Sequence, residues 1–526
     1  MAADLDLTRR QLLLGAGASA IAVLAGCSSD DPSSGPTTTS VRAPRPAPPL
    51  PTDPFSLGVA SGDPLADSVI LWTRLAPEPL AADGMGGMPE EPVDVVWEVA
   101  SDDAFAEVVA RGVATAEPAF GHSVHVDATG LAAGTDHHYR FVVGEWTSPV
   151  GRTRTLAAGS PDRLALAVVN CQWFETRTYA AYRHLIDEDL DLVLHLGDYI
   201  YEYPGAGDDG EGRTTVPAHA LQTLADYRLR YASYQGDPDL RAAHERFPFM
   251  LTWDDHEVAN NYMGDVLVED PSPEAGRARK AAAYQAWWEA LPVRVPPPEG
   301  SSLAIHQHVD VGDLARIYLL DQRQYSDVPP CRDTSSGDFG DCPERDDDRT
   351  RLGAEQEAWF AEAVAESTAT WNLIGNPVVL AGVDGGNDTD GSAYYLDTWD
   401  GFPTARHRLI EQLAQATNPV VLTGDYHAGM VLDVDERPFE DSPLVAPELM
   451  APAISSPLFP ADVSARTPQL RQQINGHGYL TVEVAPDRLT ARFRVLDDVA
   501  DADSPIATLA TWAVDAGDPE PRRVDP

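Results

Sequence analysis

Basic residues are scarce in this chain: 37 lysines and arginines stand against 83 aspartates and glutamates in 526 residues, a formal charge of −46. A nucleic-acid partner needs a basic stripe facing its phosphates, so the composition argues against that class of function. The same imbalance fits a solvated exterior and leaves many carboxylates free for hard cations. Cysteine is scarce too, with four in the whole chain. Hydrophobic content, at 43%, is ordinary for a globular protein, and the length allows two or three domains with a sizeable core.

The four cysteines divide by position. The opening stretch TRRQLLLGAGASAIAVLAGC sets Arg9-Arg10 ahead of a moderately apolar, Gly- and Ala-rich run, the twin-arginine export pattern. That run closes on Leu24-Ala25-Gly26-Cys27, which resembles a bacterial lipobox. Residues 1–27 are therefore expected to be an export signal. Cys27 is expected to become a lipidated first residue moored to the outer face of a membrane, the alternative being a signal that is simply cleaved. Residues 28–52, Ser/Thr/Pro-rich and without periodicity, read as a disordered linker. Cys331 and Cys342 flank the short loop CRDTSSGDFGDC, and in an exported protein they are expected to pair as a local disulfide. Cys171 is left alone, and an unpaired thiol in an oxidising compartment is a liability unless it is buried or bonded to metal.

Residues 53–157 run as short strands at near-regular spacing (SVILWTRL, VDVVWEVAS, SVHVDATGL, HHYRFVVGEW), which predicts an all-β sandwich. Within it GLAAGTDHHYRFVV, with Leu131 ahead of Tyr139, resembles the tyrosine-corner region of a fibronectin-III-type domain. From 161 to 512 the texture changes to strand–helix units of an α/β domain. Its apolar strands LALAVVN, DLVLHLGD, FPFMLTWDD, ARIYLLDQ, WNLIGN and NPVVLTGD each end in a polar cluster. In open α/β sheets ligands gather at such carboxyl ends. A hairpin, GYLTVEVAPDRLTARFRVLD, follows, and the final AGDPEPRRVDP reads as disordered.

In chain order the strand ends supply Asn170-Cys171, then Gly197-Asp198 with Tyr201, then Trp253-Asp254-Asp255-His256-Glu257 with Asn260-Asn261. Asp321-x-Arg323 and Gly424-Asp425-Tyr426-His427 follow. A carboxylate such as Asp198 can bridge two metal ions about 3.5–4 Å apart. If the chain turns helically after its strand, Tyr201 and Asp198 share a side. A phenol titrates near a pH of about 10, and a trivalent cation strips that proton where a divalent one rarely does, so Tyr201 argues for Fe3+. Tyr199 and Tyr203 are expected to wall the site. Asn260 and Asn261 could offer a carbonyl oxygen to a hard cation or cap a helix. Asp425 and His427 alternate past a strand and project to one side if still extended. Arg323 is either a bidentate phosphate clamp or a structural salt bridge. His195, inside its strand, reads as an outer-shell or satisfied core histidine, and His477 has no assigned role.

These motifs together resemble the PhoD-type alkaline phosphatases of the calcineurin-like metallophosphoesterase superfamily. The resemblance rests on FSLGVASGDP with SVILWTRL, LGDYIYEY, TWDDHEVANN, LGAEQEAWF, WDGFPTARHRLI and VVLTGDYH, and it covers nearly everything after the linker. It implies an N-terminal Ig- or fibronectin-III-like domain followed by an α-β-β-α sandwich, with Fe3+ and Ca2+ in the site. It also implies hydrolysis of phosphate esters with an alkaline optimum. Purple acid phosphatases share the tyrosine spacing but open with Asp-x-His, whereas this chain has Asn170-Cys171, which matches the PhoD group, where the thiolate is an iron ligand. Thiolate ligation suits a transition metal and not calcium. Aligned with the superfamily's Gly-Asn-His-Glu motif, TWDDHE makes Asp255 a ligand of the second metal and His256 the group that touches phosphate or protonates the leaving group. His427 is assigned to iron, and Asp425 and Asn260 to calcium.

The expected activity is a secreted, monomeric phosphatase for small monoesters, and diesters too, among them nucleotides or phospholipid-derived esters. Attack would come from a metal-bound hydroxide or oxide, with Arg323 neutralising phosphoryl oxygens and His256 assisting the leaving group. The rival readings are a phospholipase D-like phosphodiesterase and a surface-tethered binding protein on a decayed phosphatase fold.

Overall fold

The computed structural model describes residues 42–524 apart from 176, 205–212, 330–338, 341–346, 386–393 and 460–461, with 339–340 described by backbone alone. The export signal with Cys27 and the Cys331/Cys342 pair therefore lie outside the described residues.

Two sheets carry the main domain. The larger has ten strands, in the order Asp518–Val524, Ile506–Asp515, Arg488–Leu496, Gly478–Val484, Leu164–Val169, Leu192–Leu196, Pro248–Thr252, Val59–Gly62, Ser68–Arg74 and Ser123–Thr129. The smaller has seven: Gln307–Val311, Ala315–Leu319, Trp371–Asn376, Pro419–Thr423, Leu444–Met450, Gly429–Asp435 and Leu470–Ile474. Each has a parallel centre, 164–169 with 192–196 and 248–252 in one, and 315–319 with 371–376, 419–423 and 444–450 in the other.

The strand LALAVV lacks polar alternation because both of its faces are covered. Leu164, Leu166 and Val168 join Leu192, Leu194 and Leu196 in the layer between the sheets, against Ile317, Leu319, Leu373 and Leu422 of the opposite sheet. Ala165, Ala167 and Val169 face the other way, where small side chains admit the helices Ala180–Leu185, Leu224–Gln235, Pro238–Arg246 and Pro273–Ala290. Helices Gly353–Glu366 and Pro403–Leu413 cover the outer face of the seven-stranded sheet. The layers thus run helix, sheet, sheet, helix, and each inter-sheet leucine contributes about 1.5–3 kcal/mol of burial.

The N-terminal segment differs from expectation in its connections. Its strands do pack face to face around a core containing Val69, Val95, Tyr139 and Phe141. One of the two layers, however, is the edge of the ten-stranded sheet, because Val59–Gly62 pairs in parallel with Pro248–Thr252. The sandwich is therefore grafted onto the main sheet and not self-contained. The buried Tyr139 hydroxyl makes no hydrogen bond to backbone, so it does not close a tyrosine corner. Residues from 42 onward, expected within the linker, are tied down: the Asp94 carboxylate accepts bonds from Arg42 Nη1 (2.8 Å), Arg45 Nη2 (2.7 Å) and the Arg45 amide (2.7 Å). The described residues up to Val524 are also ordered. Asp518–Val524 forms the outermost strand, a position where Pro519 and Pro521 cost no ladder bond on the solvent side.

Candidate metal centre

The carboxyl ends of the two parallel centres meet, and the polar strand ends face one another there. The backbone is strained at this point: Cys171, Asp198, Asn261, Asp425 and His427 all have positive φ, between 52° and 67°. Left-handed backbone is uncommon for residues with a Cβ and clusters where surroundings over-determine it. Gly197 makes the approach possible, since a Cβ there would lie 2.5 Å from Asp254 Cβ. The buried Glu257 ties the loops together by accepting the amides of Asp198 (3.1 Å), Tyr199 (2.7 Å) and Asp254 (3.0 Å).

Helix Leu224–Gln235, started by the Thr223/Asp226 capping box, holds the LGDYIYEY turn from behind. Arg230 donates to the carbonyls of Tyr201 and Tyr203, and the Tyr201 amide donates to the Tyr234 hydroxyl at 3.2 Å. The turn is a left-handed step at Asp198 and not the helical turn expected, yet the Tyr201 hydroxyl still reaches Asp198 Oδ2 at 2.8 Å. Tyr203 lines the cavity, whereas Tyr199 points into the helix-side core, where its hydroxyl meets His244 Nε2 at 2.9 Å.

Two groups of ligand atoms share Asp198. In the first, Cys171 Sγ, an Asp198 carboxylate oxygen and a His427 ring nitrogen lie within 4.8 Å of one another. Tyr201 joins them, its hydroxyl 3.3 Å from His427 Nε2. His427 Nδ1 lies 2.7 Å from the Pro457 carbonyl, which can only accept, so Nδ1 carries the hydrogen and Nε2 keeps its lone pair for the site. Burial pushes His427 down to about 4, which keeps the ring neutral. In the second group Asp198, Asp255 and His256 offer atoms within the same 4.8 Å. Asp255 Oδ2 accepts the Asn261 amide at 2.6 Å. Asn260 lines the cavity, but its side-chain oxygen accepts the Tyr203 hydroxyl at 2.7 Å. Asp425 also lines the cavity and keeps a buried carboxylate oxygen without a partner.

Arg323 is not brought into the cavity. Its guanidinium is fully buried, donating from Nε to Asp254 Oδ1 (2.5 Å) and from Nη1 to Asp397 Oδ2 (2.7 Å), with Nη2 3.5 Å from Asp255 Oδ1. The salt-bridge alternative holds and the phosphate clamp does not. Two carboxylates side by side behind the site need a planar, permanently charged partner, and Arg323 is that partner. Three supporting residues, Glu202, Ser456 and Asp397, escaped the sequence reading, and Glu257 appears there only within its motif, without a role. Glu202 accepts from His256 Nδ1 at 2.7 Å and from the Asn260 amide at 2.7 Å. Ser456 sits 2.7 Å from the Tyr201 hydroxyl, and Asp397 and Glu257 act as described. Only Glu202 and Glu257 carried a signal, as carboxylates within the motifs themselves. His477 gains a role, since its Nε2 donates to the Ser456 carbonyl at 2.8 Å and steadies that turn. His195 is buried, but neither ring nitrogen finds a partner, so it is a core histidine and not a satisfied one.

The electrostatics match a cation-binding set. Burial and neighbouring carboxylates push Asp198 up to about 7 and Asp254 up to about 8, and raise Asp425 well above the usual range. Burial, with Asp198 beside them, raises the Cys171 thiol and the Tyr201 phenol far above their ordinary values. Asp198 Oδ1, Asp254 Oδ2 and Asp425 Oδ2 are buried without hydrogen-bond partners. Such crowding is costly unless positive charge fills the space among these groups. The residues therefore fit a pair of cations, with soft and phenolic donors on one side of Asp198 and oxygen donors on the other. His256 behaves oppositely. Burial disfavours its charge, but Asp255, Glu202 and Asp198 outweigh burial and hold the imidazolium well above the usual histidine range. A cavity of ≈ 490 Å³ opens over the set.

Comparison with known proteins gives a consistent result. Residues 166–493 match the family described as PhoD-like phosphatase, and residues 41–157 match the PhoD-like phosphatase N-terminal domain. Alkaline phosphatase D of Bacillus subtilis (strain 168) is 41% identical over 490 residues, which span 89% of this chain and 82% of that protein. A solved structure described as "Structure of PhoD" is 38% identical and superposes with a TM-score of 0.85, covering 91% of this chain and 94% of that one.

Proposed function

The chain belongs to the PhoD-like phosphatase family and is an enzyme acting on phosphoric esters, and from that premise we propose a metal-dependent esterase working at the Asp198 cluster. The observation that carries the proposal is the Cys171, Asp198 and His427 group, with the Asp255 carboxylate on the other side of Asp198. Cys171, Asp198, Tyr201 and His427 would hold Fe3+, and Asp198, Asp255, Asp425 and Asn260 would hold Ca2+. Bound there, the cations would supply Lewis acidity for the phosphoryl oxygens and for the attacking water.

The chain's own side chains account for the remaining steps. Ser456 donates its hydroxyl proton to the Cys171 carbonyl at 2.7 Å and sits 2.7 Å from the Tyr201 oxygen, so it fixes the two loops that carry these donors against each other. His256 stands at the cavity wall as an imidazolium, with Glu202 fixing Nδ1 and leaving Nε2 to hold a proton for the departing alkoxide. Arg323 keeps Asp254 and Asp255 in place from behind. No serine nucleophile is required, so no covalent phosphoserine is expected.

One observation favours diesters over monoesters. Among the described residues that line the cavity there is no lysine or arginine to neutralise a second phosphate charge. Export by the twin-arginine route, a lipid anchor on Cys27 and a monomeric state belong to the same proposal, and they rest on the sequence of the first 27 residues and the family resemblance. The test is metal analysis of protein purified without chelator, alongside hydrolysis of a monoester, a diester and phosphatidylcholine. Iron and calcium together, with turnover of the first two esters, support the reading. Iron-free protein with full activity overturns the metal assignment, and preference for phosphatidylcholine moves the enzyme to the phospholipase class.

A further inference from the structure

Beyond its ligand atoms the cavity is walled by aromatic rings, contributed from both sheets. Trp173 and Tyr203, from the ten-stranded side, have ring centroids 5.8 Å apart. Tyr426 and Phe459, from the seven-stranded side, are 4.4 Å apart, with Tyr395 6.3 Å from Tyr426. Trp173, Tyr203, Tyr395 and Phe459 are only half-buried, so they are wall and not core. The Tyr426 hydroxyl is buried without a hydrogen-bond partner. A phosphoryl group at the carboxylates has no use for such a wall, and ≈ 490 Å³ is far more room than a phosphoryl group needs. No lysine or arginine is among the described lining residues, and the one charged cation there, His256, is already engaged by Glu202, so the aromatic wall itself offers nothing to a second anionic group. It offers flat π-faces and hydroxyls, the means by which proteins bind aromatic bases irrespective of sequence.

Resting on the phosphoesterase reading above, we infer that the leaving-group side of this cavity is a stacking subsite for a planar heteroaromatic ring. Its preferred substrates are then phosphate esters of nucleosides and not of aliphatic alcohols. Trp173 and Phe459 set the preference and take no part in bond cleavage.

Adenosine 5′-phosphate and ribose 5-phosphate test this directly, because they share the leaving alkoxide and differ by the base. The metal-replete enzyme is expected to show kcat/KM on the order of tenfold higher for the nucleotide, the scale of one base–aromatic stack. In Trp173→Ala and Phe459→Ala that ratio is expected to fall toward one, whereas a general folding defect would lower both rates and leave the ratio standing. Titration calorimetry of adenosine against ribose reads the same contact without turnover. Equal kcat/KM in the unaltered enzyme, or a ratio unmoved by both substitutions, overturns the subsite while leaving the esterase reading intact. Adenosine binding without hydrolysis of either ester or of a diester such as bis(p-nitrophenyl) phosphate overturns the esterase reading and supports the subsite.

Discussion

The Tyr201 hydroxyl donates to Asp198 Oδ2 across 2.8 Å and lies 3.3 Å from His427 Nε2, so one phenol touches the carboxylate shared by the two candidate ligand groups and a candidate imidazole ligand at once. Three donor types converge on a point that also faces Cys171 Sγ. Of the three tyrosines in LGDYIYEY, only this one occupies it.

Tyr201→Phe is expected to remove the ligand while keeping the ring that packs 4.8 Å from Trp173 and 4.3 Å from His256. Iron content should fall, and any visible phenolate-to-iron absorption should vanish. Activity should drop by more than the roughly 10–100-fold typical of outer-shell partners. Absorption spectra and metal analysis of the variant check this, and a phenylalanine variant with undiminished iron and colour would remove Tyr201 from the ligand set.

Glu202→Gln tests the other end of the same turn. The carboxylate lies 2.7 Å from His256 Nδ1 and helps hold the imidazolium charged. A protonated acid is present below its pKa and lost above it. Removing one favourable negative charge therefore lowers that pKa and moves the alkaline limb of kcat to lower pH, by about 1–3 units. The loss should be larger for alkyl esters than for nitrophenyl esters, whose leaving group needs no proton. An unmoved alkaline limb, with both ester types equally affected, would show that His256 does not serve as the acid.

Much of this site was legible in the sequence because each ligand follows an apolar strand, and strand ends are the most readable feature of an α/β chain. Cys171, Asp198, Asp255, Asp425 and His427 all lie within four residues past the end of a buried apolar strand. What could not be read was pairing at long range. Arg323 looked available for phosphate because its partners, Asp254 and Asp397, are 69 and 74 residues away along the chain. Ser456 and His477 act through a turn that no local pattern marks. The C-terminal DPEPRRV reads as disordered by composition, and it becomes a strand because the sheet edge at Ile506–Asp515 offers a template that tolerates proline.

Arg323→Lys discriminates the buried role from the clamp. A lysine cannot span Asp254 and Asp397, so a carboxylate is left buried and unpaired, at a cost of about 3–5 kcal/mol. A lowered Tm and weakened metal binding are expected, with KM for ester nearly unchanged in protein that remains loaded. The reverse pattern, an unaltered Tm with a raised KM, would restore the guanidinium to the phosphate.

Removing the metals should matter more as pH rises. Burial, together with neighbouring carboxylates, pushes Asp198 up to about 7 and Asp254 up to about 8, whereas the same groups in the unfolded chain titrate near a pH of about 4. Between those limits the metal-free native state holds protons that the unfolded state has already released. The contribution of these two groups to stability therefore falls as pH rises from about 4 to about 8, at up to roughly 1.4 kcal/mol per unit for each group, less where carboxyls share a proton, while the buried His195 and His244 contribute the opposite slope equally with and without metal. Cations bind the deprotonated forms and reverse the penalty, so the Tm gap between metal-replete and chelator-treated protein should be small at pH 5 and wide at pH 8. Thermal melts of both forms at the two pH values decide it. A Tm gap no wider at pH 8 than at pH 5 would mean that these carboxylates are not a site waiting for positive charge.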